Sequence, residues 1–492
     1  TWVSTVDHLA TGAGLDLLRR GGSAADAAVG ANAVLAVTSP HLCGMGGDAW
    51  ALVHVDGEVH ALDASGRAGS GADAERLRQD GFTRVPPKDH IAAVTVPAAV
   101  DGWLALHERF GRLPLDEVLA AAIGYARDGF PAAPLLAWTA SLVAGVPGNE
   151  IPGSVDIGDL VRRPGSARAL QALAAQGRDG FYGGEFGDQL LAVGEGQFSA
   201  DDLADDQARW VTPLSVDVWG HRVWSPPPTS QGYLTLLAAA IVDGFAAPVD
   251  THVLVEAAVQ AGHDRPLVLH DGADGAALLA DVDRRRAAID PERASGLAGP
   301  AADGDTTYLC AVDGDRMGVS LINSNASGYG AHIVAGTTGI FLHDRGLGFS
   351  LDAGHPAELA PGRRPPHTLA PALVTRPDGS LRTVLGTMGG DAQPQIVLQL
   401  LHGLLVEGLD PGTVIDRPRW QLASGDDGFA TWEGPRVLAV EEGFDGVDAL
   451  TAKGHDVRVR PRGFGHAHAI EVGDVVAGAA DPRAITGSAS GI

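Results

Sequence analysis

The stretch DTTYLCAVDGDRMGVSLINS (305–324) carries the pattern from which the architecture is read. Apolar residues alternate on both sides of a DGD turn, which is the mark of a β-hairpin with one face turned to a core. Just upstream lies SGLAGPAADGD (295–305), a weakly structured segment of the kind that is readily cut. Downstream, the same reasoning places strands at 369–375 and 381–386, a helix at about 392–407, and short strands at 436–441, 455–460 and 468–477. Upstream, residues 8–20 have apolar positions at helical spacing and stop at Gly21-Gly22. Ser23 caps a second, Ala- and Val-rich helix from about Ala24 to Val37. A glycine turn (41–50) leads into strands at 49–55 and 57–63. Helices are expected over 97–128 and 166–176, and from Leu234, where one follows the helix-incompatible SPPPTSQG (225–232). Residues 266–303 mix helical stretches with loops. Two sheets face to face with helices outside, a four-layer αββα sandwich of the α/β (α+β) class, is the most economical arrangement.

The rest of the composition narrows the function. The chain has 492 residues, 45% of them hydrophobic, enough for a large core. Its formal charge of -26 repels phosphate backbones, so nucleic acid is excluded as a partner class. No apolar run reaches the roughly 20 residues needed to cross a bilayer, so no membrane partner is expected. The start lacks a basic region followed by an apolar stretch, and a cytoplasmic location is expected; the chain does not begin with Met, so export stays open. Two cysteines, Cys43 and Cys310, cannot form a disulfide framework and read as small buried hydrophobes.

The junction Asp305-Thr306 has a chemistry of its own. A β-hydroxyl residue that opens a strand after a glycine-containing loop can attack the preceding carbonyl. The peptide becomes an ester, and water then opens it. The freed Thr306 would carry a hydroxyl nucleophile and an α-amine of unperturbed pKa about 7.7–8.0, suited to act as general base. The plain alternative is a loop entering a strand.

The surrounding motifs favour the chemical reading. In order, GGSAADAAVGANAVLAVTSPHLCGMGGD (21–48), VTVPAAVDGWLALHERFG (94–111), FYGGEFGDQLL (181–191), PPPTSQG (226–232), the hairpin itself, GYGAHIVAGTTGIFLHDRG (328–346), APGRRPPHTLAPALV (360–374), GTMGGDAQPQ (386–395) and GAADPR (478–483) resemble the γ-glutamyltransferase family of N-terminal nucleophile hydrolases. The resemblance implies an inactive precursor that cleaves itself into two interlocked subunits forming one structural unit. Here these would be a large piece 1–305 and a small catalytic piece 306–492, a heterodimer, with a dimer of heterodimers as an open alternative. It implies Thr306 as nucleophile, Thr307 as its support, Ser324 as a hydroxyl partner, and Gly389 and Gly390 as the backbone oxyanion hole. Glycine lets backbone N–H groups approach a developing oxyanion closely, and losing one such donor costs roughly 3–4 kcal/mol. Arg67 falls where the family binds the acyl carboxylate, and a guanidinium can grip a carboxylate with two hydrogen bonds. No cofactor and no metal is implied.

The departures from the family concern the substrate's α-amine. The acidic residue that holds it in typical members is replaced by Gly348, and Arg345 and Ala326 stand at two further contact positions. A one-residue shift would restore Asn325 to the second of these. The usual serine pair is His367-Thr368. An ammonium needs a counter-charge once desolvated, and Arg345 would repel it. The expected substrate is therefore a small-molecule amide whose acyl group bears a carboxylate and no α-amine, glutaryl- or oxamate-like, bound by Arg67, Arg345, His367, Thr368 and Asn325. The alternatives are a true γ-glutamyltransferase (glutathione hydrolase), a C–C bond hydrolase of a natural-product pathway, and an unprocessed binding protein. His466 and His468 have the look of a metal pair but no third ligand at a recognisable spacing, and they are expected to line the sheet beneath the pocket. His41 and Asp48 flank the glycine turn near the expected site.

Overall fold

In the computed structural model, residues 1–296, 306–423 and 437–492 are described; the expected scissile residue Asp305 lies outside them. The hairpin forms as read. Strands Thr307–Val312 and Gly318–Ser324 pair antiparallel from Thr307↔Asn323 to Val312↔Gly318. The Asp313 carboxylate closes the turn by accepting from the N–H of Asp315 and Met317, both at 3.0 Å. Alternation then sorts the side chains. Tyr308, Cys310, Val312 and Ile322 face one core, and Leu309, Ala311, Val319 and Leu321 face another.

The hairpin is the centre of a seven-stranded sheet. Its order is Ser488–Gly491, Trp2–Thr5, Thr307–Val312, Gly318–Ser324, Asp48–Val55, Glu58–Ala64, Arg209–Val211. A six-stranded sheet runs Val476–Ala480, Ala467–Val472, Leu381–Thr387, Ala372–Thr375, His221–Ser225, Leu214–Val218. The two pack face to face on a shared core of Trp50, Leu52, Tyr308, Ile322, Leu373, Val384 and Ile470. Helices His8–Arg19, Ala24–Thr38 and Ala99–Phe110 cover the first sheet, and Tyr233–Asp243 and Gln393–Leu405 cover the second. This is the αββα sandwich that the sequence implies.

Local signals explain the helix ends. Gly21 takes φ +89°, and the N–H groups of Gly21 and Gly22 donate to Leu18 and Leu17, so the chain turns out of the first helix. Ser23 and Asp26 cap each other's backbone at the start of the second helix, every residue of which is buried.

Some expectations need correction. Residues 97–128 form two helices, Ala99–Phe110 and Leu115–Asp128, because Gly111 is extended and Pro114 starts anew. The strand expected over 468–477 is a hairpin, Ala467–Val472 with Val476–Ala480. Helix Thr251–Gly262, strands Trp2–Thr5 and Ser488–Gly491, and the strands over 209–225 went unread. The short strands have too few residues to show a period, and the helix is buried nearly all round, including the polar row His252, Glu256 and Gln260, so it lacks the one-sided polar pattern of a surface helix. No helix among the described residues is long and apolar enough to cross a membrane.

Candidate active site

The hairpin brings Thr306 and Ser324 together at one end of the sandwich. Thr306 precedes the first strand, Ser324 ends the second, and the Thr307↔Asn323 pair sets them opposite each other. Their hydroxyl oxygens lie 2.9 Å apart, with Thr306 1% exposed and Ser324 0%. Ser324 Oγ also accepts from the Ala326 N–H at 2.8 Å, and Ala326 holds a left-handed φ of 71°. Thr307 turns to the other face and donates to the Asn323 carbonyl at 3.1 Å.

On the other side of Ser324 the register places Asp48. By alternation from Tyr308, Ile322 and Trp50, the side chains of Thr306, Ser324 and Asp48 all point between the sheets. They form one row across three strands. The glycine turn before Asp48 has to be glycine: a Cβ on Gly47 would stand 2.3 Å from the Ser324 carbonyl oxygen.

Asp48 is the hub of a buried polar cluster. Arg345 donates to its carboxylate through Nε at 2.7 Å and Nη2 at 3.4 Å. His343 Nδ1 and His367 Nε2 reach Asp48 Oδ2 at 3.1 and 3.0 Å. Arg345 Nη1 donates to Thr368 Oγ1 at 2.9 Å. Burial alone would raise the Asp48 carboxyl, but Arg345, His367 and the histidine hydrogen bonds hold it well below the usual range. His367 Nδ1 accepts from the Leu369 N–H at 3.2 Å, so its Nε2 carries the proton given to Asp48. Burial first and Arg345 second lower His367 to about 4, leaving it neutral. Arg345, His367 and Thr368 thus meet in one place, and the guanidinium already has a carboxylate partner.

The remaining expected residues fall nearby or apart as follows. Gly389 and Gly390 take φ +132° and +52° at the start of the helix Gln393–Leu405. Gln231 Nε2 donates both to the Gly390 carbonyl at 3.0 Å and to the Thr368 carbonyl at 2.8 Å, tying the glycine turn to the His367-Thr368 segment. Asn325 turns toward the 41–48 segment, where its Nδ2 donates to the Pro40 carbonyl at 3.0 Å. Arg67 follows the strand Glu58–Ala64, whose Ala64 pairs with Ala49, at the same end of the sheet as Asp48. Its side chain is 36% exposed and its nearest carboxylate is Asp205, at 3.9 Å. Arg364 lies close enough for Arg67 and Arg209 to help lower its pKa, after burial, while Asp63 opposes them. Arg209 Nε and Arg364 Nη1 stand 2.8 and 3.5 Å from the Asp63 carboxylate. Arg209 and Arg364 therefore share the buried Asp63, with Arg67 near Arg364 and with Asp205 and Asp271 as further acids beside the group. Arg364, Gln231 and His343 lie inside the motifs quoted above but had no role assigned. Two arginines in RRPP and a Gln just before a helix were the available signals.

His468 Nδ1 bonds Ser4 Oγ at 2.9 Å, and His466 accepts through its carbonyl from the Met388 N–H at 3.4 Å. Burial lowers His41 and His468 to about 3 and His466 to about 4; His466 adds to the shift of His41. With His367, four buried imidazoles are neutral in the fold and would be protonated below about pH 6.5 when unfolded. Their stability contribution is full above that pH. It is lost as pH falls toward 4, at up to roughly 1.4 kcal/mol per pH unit for each. Urea midpoints are expected to be flat from pH 8 to 7 and to drop steeply from 6 to 4.5. A midpoint unchanged over that lower range would contradict the assignment of four neutral histidines.

The same chain can be set beside known proteins. The Gamma-glutamyltranspeptidase family profile matches residues 10–491. An oxamate amidohydrolase proenzyme of Klebsiella pneumoniae is 35% identical over 98% of this chain and 97% of its own length. A glutathione hydrolase-like YwrD proenzyme of Bacillus subtilis is 34% identical, covering 99% and 97%. The crystal structure of a cephalosporin acylase from Bacillus halodurans superposes with a TM-score of 0.91 at 34% identity, over 99% of this chain and 95% of that one. With a hydroxyl pair at the head of a hairpin in an αββα sandwich and this match along nearly its whole length, the chain is an enzyme of the γ-glutamyltranspeptidase family, among its hydrolases and acylases.

Proposed function

We propose that the chain cuts itself between Asp305 and Thr306 and that the freed Thr306 then hydrolyses amides of carboxylate-bearing acyl groups that lack an α-amine. The observation that carries the first half is the 2.9 Å contact between the Thr306 and Ser324 hydroxyls in a buried site at the hairpin head. In the first reaction Thr306 Oγ attacks the Asp305 carbonyl, and the amide becomes an ester with release of the Thr306 amine. Water then hydrolyses the ester, leaving pieces 1–305 and 306–492 as a heterodimer. In turnover the same oxygen attacks the substrate carbonyl, with the α-amine taking its proton. Gly389 and Gly390 supply N–H groups to the oxyanion, and Ser324 orients the nucleophile. The amine leaves, and water releases the acyl group. The naming of several relatives as proenzymes supports processing.

The charge around the site supports the substrate class. Arg67 keeps an exposed face, its nearest carboxylate being the exposed Asp205 at 3.9 Å, while Arg209 and Arg364 share the buried Asp63. Arg345 is neutralised by Asp48, so it orders the wall with His367 and Thr368 rather than adding net positive charge. Asn325 is held by Pro40 and fixes the turn behind Ser324. Two relatives have names that fit this class, oxamate amidohydrolase and cephalosporin acylase.

The test compares glutaryl and γ-glutamyl anilides side by side. An uncompensated ammonium costs on the order of 1–3 kcal/mol, so kcat/KM for the glutaryl compound is expected to be about 10- to 100-fold higher. The reverse ratio would identify a γ-glutamyl hydrolase instead.

A further inference from the structure

Outside the cluster at the hairpin head, His252, Glu256 and His455 form a buried triad whose ligand atoms all lie within 4.8 Å of one another. His252 and Glu256 sit one turn apart on the helix Thr251–Gly262, so they share a face. His455 comes from the other side of the expected cleavage junction. We propose that this triad is a binding site for a divalent transition metal of the zinc class, and that the bound ion pins the end of the large piece to the small one.

The hydrogen bonds aim the ligands. His252 Nε2 stands 2.9 Å from the Asp290 carbonyl, which can only accept, so that nitrogen carries the proton. The lone pair of His252 is then on Nδ1, facing His455 Nε2 at 2.7 Å. A histidine whose outer N–H is fixed by a backbone carbonyl is the usual arrangement of a metal-binding imidazole. At present one proton, given by His455 Nε2, spans the gap. A metal at about 2.0–2.1 Å from each nitrogen in tetrahedral geometry would hold them about 3.3 Å apart, so the rings would have to part by about 0.6 Å from their present contact. His455 would move its proton from Nε2 to Nδ1 and expose a second lone pair, so no proton is lost to solvent. The Glu256 carboxylate supplies the third ligand and the negative charge. Two imidazoles and one carboxylate suit zinc, with water in the remaining position.

The triad also touches the segment that runs to the junction. The Ser295 N–H donates to Glu256 Oε2 at 3.2 Å, and the Ala294 N–H donates to the Lys453 carbonyl at 2.8 Å. Ordering His252, Glu256 and His455 around one ion would therefore hold residues 290–295 against the 453–455 turn. The two halves of this set are 203 residues apart and share no motif spacing.

The experiment uses the full chain, stripped with a chelator and dialysed. Cobalt(II) is added and visible absorption followed, and zinc is then added in competition. One equivalent per chain is expected, with an intense low-symmetry cobalt spectrum that one equivalent of zinc abolishes. Glu256→Gln and His455→Ala should each weaken binding by more than the roughly 10- to 100-fold that loss of a mere outer partner costs. Circular dichroism checks that they fold. Zinc should also raise the urea concentration at which the two pieces separate, without changing the rate of amide hydrolysis. Retention of less than 0.1 equivalent by the wild type, or equal binding by wild type and both variants, would overturn the site. Because cobalt binding is read directly on the intact chain, this result is independent of whether Thr306 is the nucleophile.

Discussion

A Thr306→Ala chain is expected to remain a single species of 50.4 kDa after long incubation and to lose amide hydrolysis by about 10^4-fold or more. The substitution removes the attacking oxygen in both reactions, so processing and turnover fail together. It should cost little in stability. The side chain gives up one buried hydroxyl contact, with Ser324, worth about 1 kcal/mol. Circular dichroism and the urea midpoint should therefore stay near the wild type while intact mass spectrometry shows no fragment 306–492. Thr306→Ser keeps an oxygen in place and should still cleave, more slowly. A severed Thr306→Ala chain would show that another group cuts the backbone, and the whole catalytic reading would fall with it.

Removal of Asp48 is expected to be the costliest single change to the fold near the site. Asp48→Ala strands the Arg345 guanidinium, which is 2% exposed, and leaves His343 and His367 without their acceptor. Breaking a buried pair from one side costs about 3–5 kcal/mol, mainly through the charge left behind. The loss should appear as a lower urea midpoint. It should also lower activity, since Asp48 lies in the row with Ser324 and Thr306. The decisive variant is the double substitution Asp48→Ala with Arg345→Met. If the stranded charge is the cause, the double variant regains part of the stability lost in Asp48→Ala. Strictly additive losses would mean that the pair contributes through shape and not through charge.

Much of the architecture was legible because it is written in short-range patterns. The DGD turn and alternation in 307–324 give a hairpin whichever sheet it joins, and Ser23 with Asp26 starts a helix from local hydrogen bonds alone. The strands at 209–225 and the chain ends were not legible. Trp2–Thr5 is a strand because Ser488–Gly491 and Thr307–Val312 flank it, and four residues cannot announce such partners. The motif pattern singles out Thr306, Ser324, Gly389 and Gly390 as candidates, and the geometry adds how near the first two are and how Gln231 ties Gly390 to Thr368.

The charged residues show the division most clearly. From the chain alone, Arg345 next to a missing acidic residue reads as a free cation facing the substrate, since nothing local supplies a counter-ion. In the fold, Asp48 meets it across 297 positions of sequence, and a neutral pair results. The triad of His252, Glu256 and His455 likewise exists only after a helix and a distant turn pack together. Hydrophobic period and turn chemistry act between near neighbours and so survive in a one-dimensional reading. Coulombic partnership in a desolvated interior depends on distance in space, and that is set only when the layers close.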